Sequence, residues 1–143
     1  RALFPARRAL APQALLDAPE EALRGAGLSR AKLAAARDLA AKTLEGVVPT
    51  AAALRRMPDE EIIERLTAVR GVGTWTVQML LIFRLGRPDV LPIHDLGIQK
   101  GFQRTYETRQ WPKPSRIERH GERWRPFRSV ASWYLWRATD QAP

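Results

Sequence analysis

Leu66-Thr-Ala-Val-Arg-Gly-Val-Gly-Thr-Trp-Thr-Val-Gln-Met-Leu-Leu81 decides the fold. A helical segment ending near Val69 meets Gly71-Val72-Gly73, and a second periodic run begins at Thr74 and continues to Leu85, so two helices are joined by a tight turn. Glycine at two of the three turn positions permits positive φ and lets another backbone come close, because no Cβ stands in the way. Val72 between them is apolar and is expected to point inward. The first amides of the following helix have no internal partners and sit at the positive end of its dipole, where they can donate to a phosphate oxygen. Two glycines alone would mean only that one helix stops and another starts. Arg70 and Thr74 beside them, in a basic chain, favour the phosphate.

Downstream lies Gly86-Arg-Pro-Asp-Val-Leu-Pro-Ile-His-Asp95. Its two prolines forbid helix and impose an extended connection. Asp95 then opens a helix predicted over 96–105, whose dipole and free amides favour the anionic carboxylate. By position alone Asp95 would be an ordinary helix-start acid.

The remaining segments all read as helices. Pro12 and Pro19 each open a short helical turn, and Gly25-Ala-Gly27 ends them. Ser29 is a good N-cap for a helix that places Leu33, Ala36, Arg37, Ala40 and Leu44 at helical spacing until Gly46. Thr50 to Arg56 is a further short helix. Asp59-Glu60-Glu61 start another with acids in its first turn and a buried stripe of Ile62, Ile63, Leu66 and Val69. After the hairpin, Trp75, Met79, Ile82 and Phe83 fall on one side and should be mostly core, with Trp75 and Met79 placed to line a pocket. Helices are also expected over 114–123 and from Pro126 onward, the last carrying Val130, Trp133, Tyr134 and Trp136. No strand signal or internal repeat is present, so the fold class is all-α.

The chain has 143 residues, which fits one domain with a real core. Its 24 Lys plus Arg against 15 Asp plus Glu give a net charge of +9, with a dense basic group from Arg104 to Arg128. That balance favours a polyanionic partner, nucleic acid before anionic membrane. With no cysteine, the sequence offers no thiolate for a disulfide, a zinc site or an iron–sulfur cluster. Two histidines, His94 and His120, make a metal site a poor reading, and a loop His94 contacting backbone the better one. No apolar run approaches bilayer-spanning length, and the expectation is a cytoplasmic protein.

Val69-Arg-Gly-Val-Gly-Thr-Trp-Thr76, together with the loop ending at Asp95, resembles the helix-hairpin-helix DNA glycosylase superfamily, which pairs this hairpin with a Gly/Pro-rich loop and an aspartate. Within it the chain is most similar to bacterial 3-methyladenine DNA glycosylase II, the alkylbase branch. The likeness runs from about Leu15 to Arg137 and includes Gly27-Leu-Ser-Arg-Ala-Lys-Leu33 and Arg123-Trp-Arg-Pro-Phe-Arg-Ser129. The resemblance implies a single helical glycosylase domain over 1–143. It starts at Arg1 in what reads as the tail of a helix and basic connector, so the family's upstream helices, which carry the residue filling the gap left by a flipped base, are expected to be missing.

The resemblance further implies a monomeric, nucleoid-associated enzyme that hydrolyses the N-glycosidic bond of alkylated purines, of 3-methyladenine and 7-methylguanine type, in double-stranded DNA. Asp95 would be catalytic. Trp75, Met79 and Trp136 would line the base pocket, Met79 standing where the family often has tyrosine. Arg70, Gly71, Val72, Gly73, Thr74 and Lys100 would hold DNA. Bifunctional relatives keep a lysine nucleophile where this chain has Trp75, so no lyase activity is expected. No cofactor is implied beyond a monovalent cation that hairpin carbonyls of the family can hold, and the iron–sulfur branch is disfavoured. Two other readings stay open, a helix-hairpin-helix module that grips damaged DNA without chemistry and a glycosylase for mismatched adenine or oxidised guanine.

Overall fold

The computed structural model describes residues 11–140, and those residues are all-helical. The elements are α1 (Pro12–Asp17), α2 (Glu20–Gly25), α3 (Arg30–Leu44), α4 (Ala51–Leu54), α5 (Asp59–Thr67), α6 (Thr74–Phe83), α7 (Leu96–Thr105), α8 (Pro114–Gly121), a 3-10 turn (Glu122–Trp124) and α9 (Arg128–Asp140). The helix tail and connector read over 1–10 lie outside the described residues. The chain divides into two compact units, one ending at Val77 and the other beginning at Gln78, so the division falls inside α6. None of the described helices is long and apolar enough to cross a membrane.

In the first unit α1 and α2 pack on α3. Leu15, Leu23, Leu33 and Ala40 form the core, bordered by Leu16, Leu28 and Ala36. The Ser29 hydroxyl caps α3 by accepting the Lys32 amide at 3.3 Å, and Gly46, at φ +77, closes the segment. Leu44, the last of the residues at helical spacing, is exposed at the end of α3. Acids fill the first turn of α5, and Ile62, Leu66 and Val69 turn inward along one face that leads to the hairpin.

In the second unit α7 and α9 pack closely, with Ile98 and Phe102 from α7 meeting Leu135 from α9 and Ile117 from α8. Burying side chains of this size stabilises by about 1.5–3 kcal/mol each relative to exposure. The start of α9 falls at Arg128, not at Pro126, and its first turn is tied to the loop that leads to α7: the Ser129 amide donates to the Pro88 carbonyl at 2.8 Å.

One expected stripe is wrong. On α6 the buried residues are Val77 and Leu81, whereas Trp75 is 51% and Phe83 60% exposed. The segment Thr-Trp-Thr-Val-Gln-Met-Leu-Leu-Ile-Phe is apolar nearly all round, so period alone does not single out one face.

Candidate functional site

The hairpin belongs to the first unit. Gly71 takes φ +78, and a Cβ built there would come within 3.3 Å of Ala35 Cβ, so the turn is seated against α3. Arg70, Gly71, Gly73 and Thr74 are exposed, Val72 is half-buried as a plug, and Val69 is buried beneath. The Val72 amide donates to the Val69 carbonyl at 3.0 Å, and the Val77 amide to Gly73 at 3.2 Å. The amides at the head of α6, from Thr74 on, precede that bond. They sit where an anion is favoured.

A residue with no motif to announce it holds this turn. Asp38 on α3 accepts the Arg70 amide through Oδ2 at 2.7 Å, and Lys42 bonds the same carboxylate at 2.7 and 2.8 Å. The Arg70 amide first, and then Lys42, keep the Asp38 carboxyl below its ordinary value. A depressed folded value means that its contribution is fully present above the unfolded value and disappears as pH falls through the folded one. Asp38→Ala should therefore lower Tm at neutral pH, and the gap to the parent should close in acid. Thermal melts followed across that pH range measure both; a gap that is unchanged in acid would contradict the linkage.

The second unit holds the carboxylate. Asp95 is the N-cap of α7, with extended backbone, and its Oδ1 accepts the Ile98 amide at 2.8 Å. The same oxygen accepts the Trp136 indole N–H from α9, also at 2.8 Å. Capping needs only the first of these bonds. The second is possible because residue 97 has no side chain: a Cβ there would stand 2.7 Å from Trp136 Cδ1 and 3.0 Å from Asp95 Oδ1. Phe83 lies beside the same indole, ring centroids 5.7 Å apart and tilted by 30°. Expected in the core, Phe83 instead presents an exposed ring next to the carboxylate's partner.

The loop leading to Asp95 is braced against the start of α9. Arg128 Nε donates to Asp89 Oδ1 at 2.6 Å, its Nη2 to Oδ2 at 3.0 Å, and Arg125 Nη1 to Oδ2 at 2.6 Å. The Arg128 guanidinium first, with Arg125 adding to it, holds the Asp89 carboxyl below its usual range. Ser129 Oγ accepts the Val90 amide at 3.0 Å and donates to the Arg87 carbonyl at 2.7 Å. On α7, buried Gln99 donates to the Ile93 carbonyl at 2.9 Å and accepts the Trp111 indole at 2.7 Å. Arg123-Trp-Arg-Pro-Phe-Arg-Ser129 thereby acquires a structural meaning: its last residues clamp the loop.

The other predicted residues are placed as follows. Trp75 and half-buried Met79 lie one turn apart on α6, and Lys100 is exposed on α7. Arg104 donates to the Thr139 carbonyl at 3.3 Å. His94 is exposed and makes no hydrogen bond, contrary to the expected backbone contact, because Asp95 rather than His94 turns in to cap α7. Among the described residues no group of histidines, cysteines and acids could hold a metal ion.

Comparison with known proteins gives a family. Residues 2–126 match the model of the HhH-GPD superfamily base excision DNA repair protein. A DNA-3-methyladenine glycosylase of Schizosaccharomyces pombe is 39% identical over 131 residues, covering 92% of this chain and 58% of the relative. The solved structure of S. pombe 3-methyladenine DNA glycosylase in complex with abasic DNA superposes with a TM-score of 0.85 at 36% identity, covering 98% of this chain and 69% of that one. A DNA-3-methyladenine glycosidase structure from Bacillus halodurans gives a TM-score of 0.85 at 34% identity, covering 96% and 62%.

Proposed function

The chain belongs to the HhH-GPD superfamily of base excision DNA repair proteins, and from that premise we propose that it hydrolyses the N-glycosidic bond of alkylated purines in double-stranded DNA. The proposed subtype is that of DNA-3-methyladenine glycosylase II. The observation that carries the reading is the Asp95 carboxylate, held at the head of α7 through one oxygen by the Ile98 amide and the Trp136 indole.

Breaking an N-glycosidic bond develops positive charge on the sugar, and a fixed anion beside it lowers the barrier. The same carboxylate can orient or deprotonate the attacking water. One carboxylate suffices when the leaving base is already cationic, as purines alkylated at N3 or N7 are. Electron-rich faces suit such a base through cation–π attraction, and Trp136 with Phe83 supplies two rings next to the anion. Arg70, Gly71, Val72, Gly73 and Thr74 would clamp a phosphate, with Lys100 as a further cation for the duplex. Trp75, standing where a lysine nucleophile would be needed, offers no amine for a Schiff base, so the strand is left intact.

Base release from methylated duplex DNA, with the strand analysed in parallel, tests the proposal. Free 3-methyladenine and an uncut strand are expected; tight binding without release would leave a non-catalytic DNA-binding module. Trp136→Phe keeps a ring but removes the N–H. A hydrogen bond to a charged group is worth about 1.5–3 kcal/mol, so the single-turnover rate should fall about tenfold or more, with duplex affinity unchanged. Equal loss of rate and affinity would make Trp136 a packing residue only.

A further inference from the structure

We propose that the basic strip along α8 is a second contact for the DNA phosphate backbone, separate from the hairpin and from Asp95. The proposal rests on the reading that the protein works on duplex DNA. Arg116, Arg119 and Arg123 line, with His120, a groove of about 320 Å³. A groove of about 260 Å³ lined by Gln110, Trp111, Lys113, Ser115, Arg116 and Arg119 adjoins it through the shared arginines. The four cations at 113, 116, 119 and 123 follow helical spacing along one side of α8 and its continuation, while Ile117 is buried in the core and Glu118 lies two residues on from Arg116, away from that side.

The cations of this segment divide into two groups. Arg125 and Arg128 are bound to Asp89 and to Glu122 and brace the fold. Lys113, Arg116, Arg119 and Arg123 are exposed, and their side chains make no hydrogen bond or ion pair among the described residues. Three guanidiniums sharing one groove without a counterion repel one another, and a polyanion relieves that repulsion. His120 adds a second sign. Its ring is packed between Tyr106, Phe102 and Trp124, with centroids 4.3, 5.1 and 5.1 Å away, yet buried Nε2 has no hydrogen-bond partner. Burial first, then Arg123 and Arg116, push its basicity down, as expected where the guanidiniums crowd an uncompensated site.

The shape selects a backbone over a small anion. From Lys113 to Arg123 the rise of about 1.5 Å per residue gives about 15 Å, long enough to meet more than one phosphate of a strand, whose charges repeat about every 3.4 Å along the duplex axis. The strip has no enclosed apolar space for a base, so the contact reads charge and not sequence.

The test is binding of undamaged duplex by fluorescence anisotropy over a series of KCl concentrations. It compares the protein with its Arg116→Gln/Arg119→Gln/Arg123→Gln variant, and with an Arg24→Gln/Arg30→Gln/Arg56→Gln control of equal charge loss elsewhere. Each phosphate contact contributes about 0.9 to the slope of log K against log salt, so the strip variant should lose about 2–3 from that slope and at least about tenfold in affinity at low salt. The control should lose little. Single-turnover base release by the strip variant at saturating enzyme should be unchanged, because none of its residues touches Asp95 or Trp136. An unchanged slope in the folded strip variant, or an equal loss in the control, overturns the proposal; so does absence of duplex binding by the parent. Loss of slope in the strip variant of a parent that binds duplex but releases no base would retain the strip and sink the glycosylase reading.

Discussion

Asp95→Asn is expected to lower base release from methylated duplex DNA by at least about 100-fold, the scale on which removal of one preorganised electrostatic group acts, while leaving the fold in place. Asparagine keeps the Oδ1 that accepts the Ile98 amide and the Trp136 indole, and it ranks with aspartate as an N-cap. The second oxygen becomes an NH2 donor, and the negative charge is removed. Its loss at a helix N-terminus costs about 0.3–1 kcal/mol, a fall in Tm of about 1–4 °C for a chain of this size. Single-turnover release and a thermal melt on the same preparation measure both. Equal rates for parent and variant would reduce Asp95 to a helix-start residue and leave the DNA-binding-module reading.

Much of this arrangement was legible along the chain. Ser29 as N-cap, the glycine turn at 71–73, α1 from Pro12 and α7 from Leu96 follow from local chemistry and stand where that chemistry puts them. Asp95, through the loop before it that the family pairs with its hairpin, and Trp136 are both singled out by resemblance. What local chemistry does not contain is the long-range partner. Asp38 meets the hairpin across 32 residues, and nothing in Ala35-Ala36-Arg37-Asp38 marks it as the acceptor of a particular amide. Asp89 and Arg128 meet across 39 residues in the same way. Phe83 was misplaced because α6 is apolar on nearly every side, so its exposed face is chosen by packing and not by period. The glycines at 97 and 101 did leave a signal, one small residue per turn on α7, which points to a close helix approach and so to a partner on another helix.

That approach makes Gly101→Ala the substitution with the largest expected effect on stability. A Cβ at 101 would collide with the carbonyl of Leu135 and come within 3.0 Å of its Cα, all backbone atoms of α9 that cannot rotate aside. Alanine gains about 1 kcal/mol of helix propensity over glycine. Overpacking costs about 1–3 kcal/mol and more where the neighbour cannot yield. The collision should therefore win, with Tm falling on the order of 5–10 °C. Activity should fall with it, for a different reason from that in Asp95→Asn. Leu135 precedes Trp136, so a displaced α9 pulls the indole from Oδ1 of Asp95. Lys100→Ala, one position earlier and exposed, is the control for helix propensity and should melt at or slightly above the parent. If Gly101→Ala melts with the parent, α7 and α9 are not in backbone contact, and the account of how the indole reaches the carboxylate fails with them.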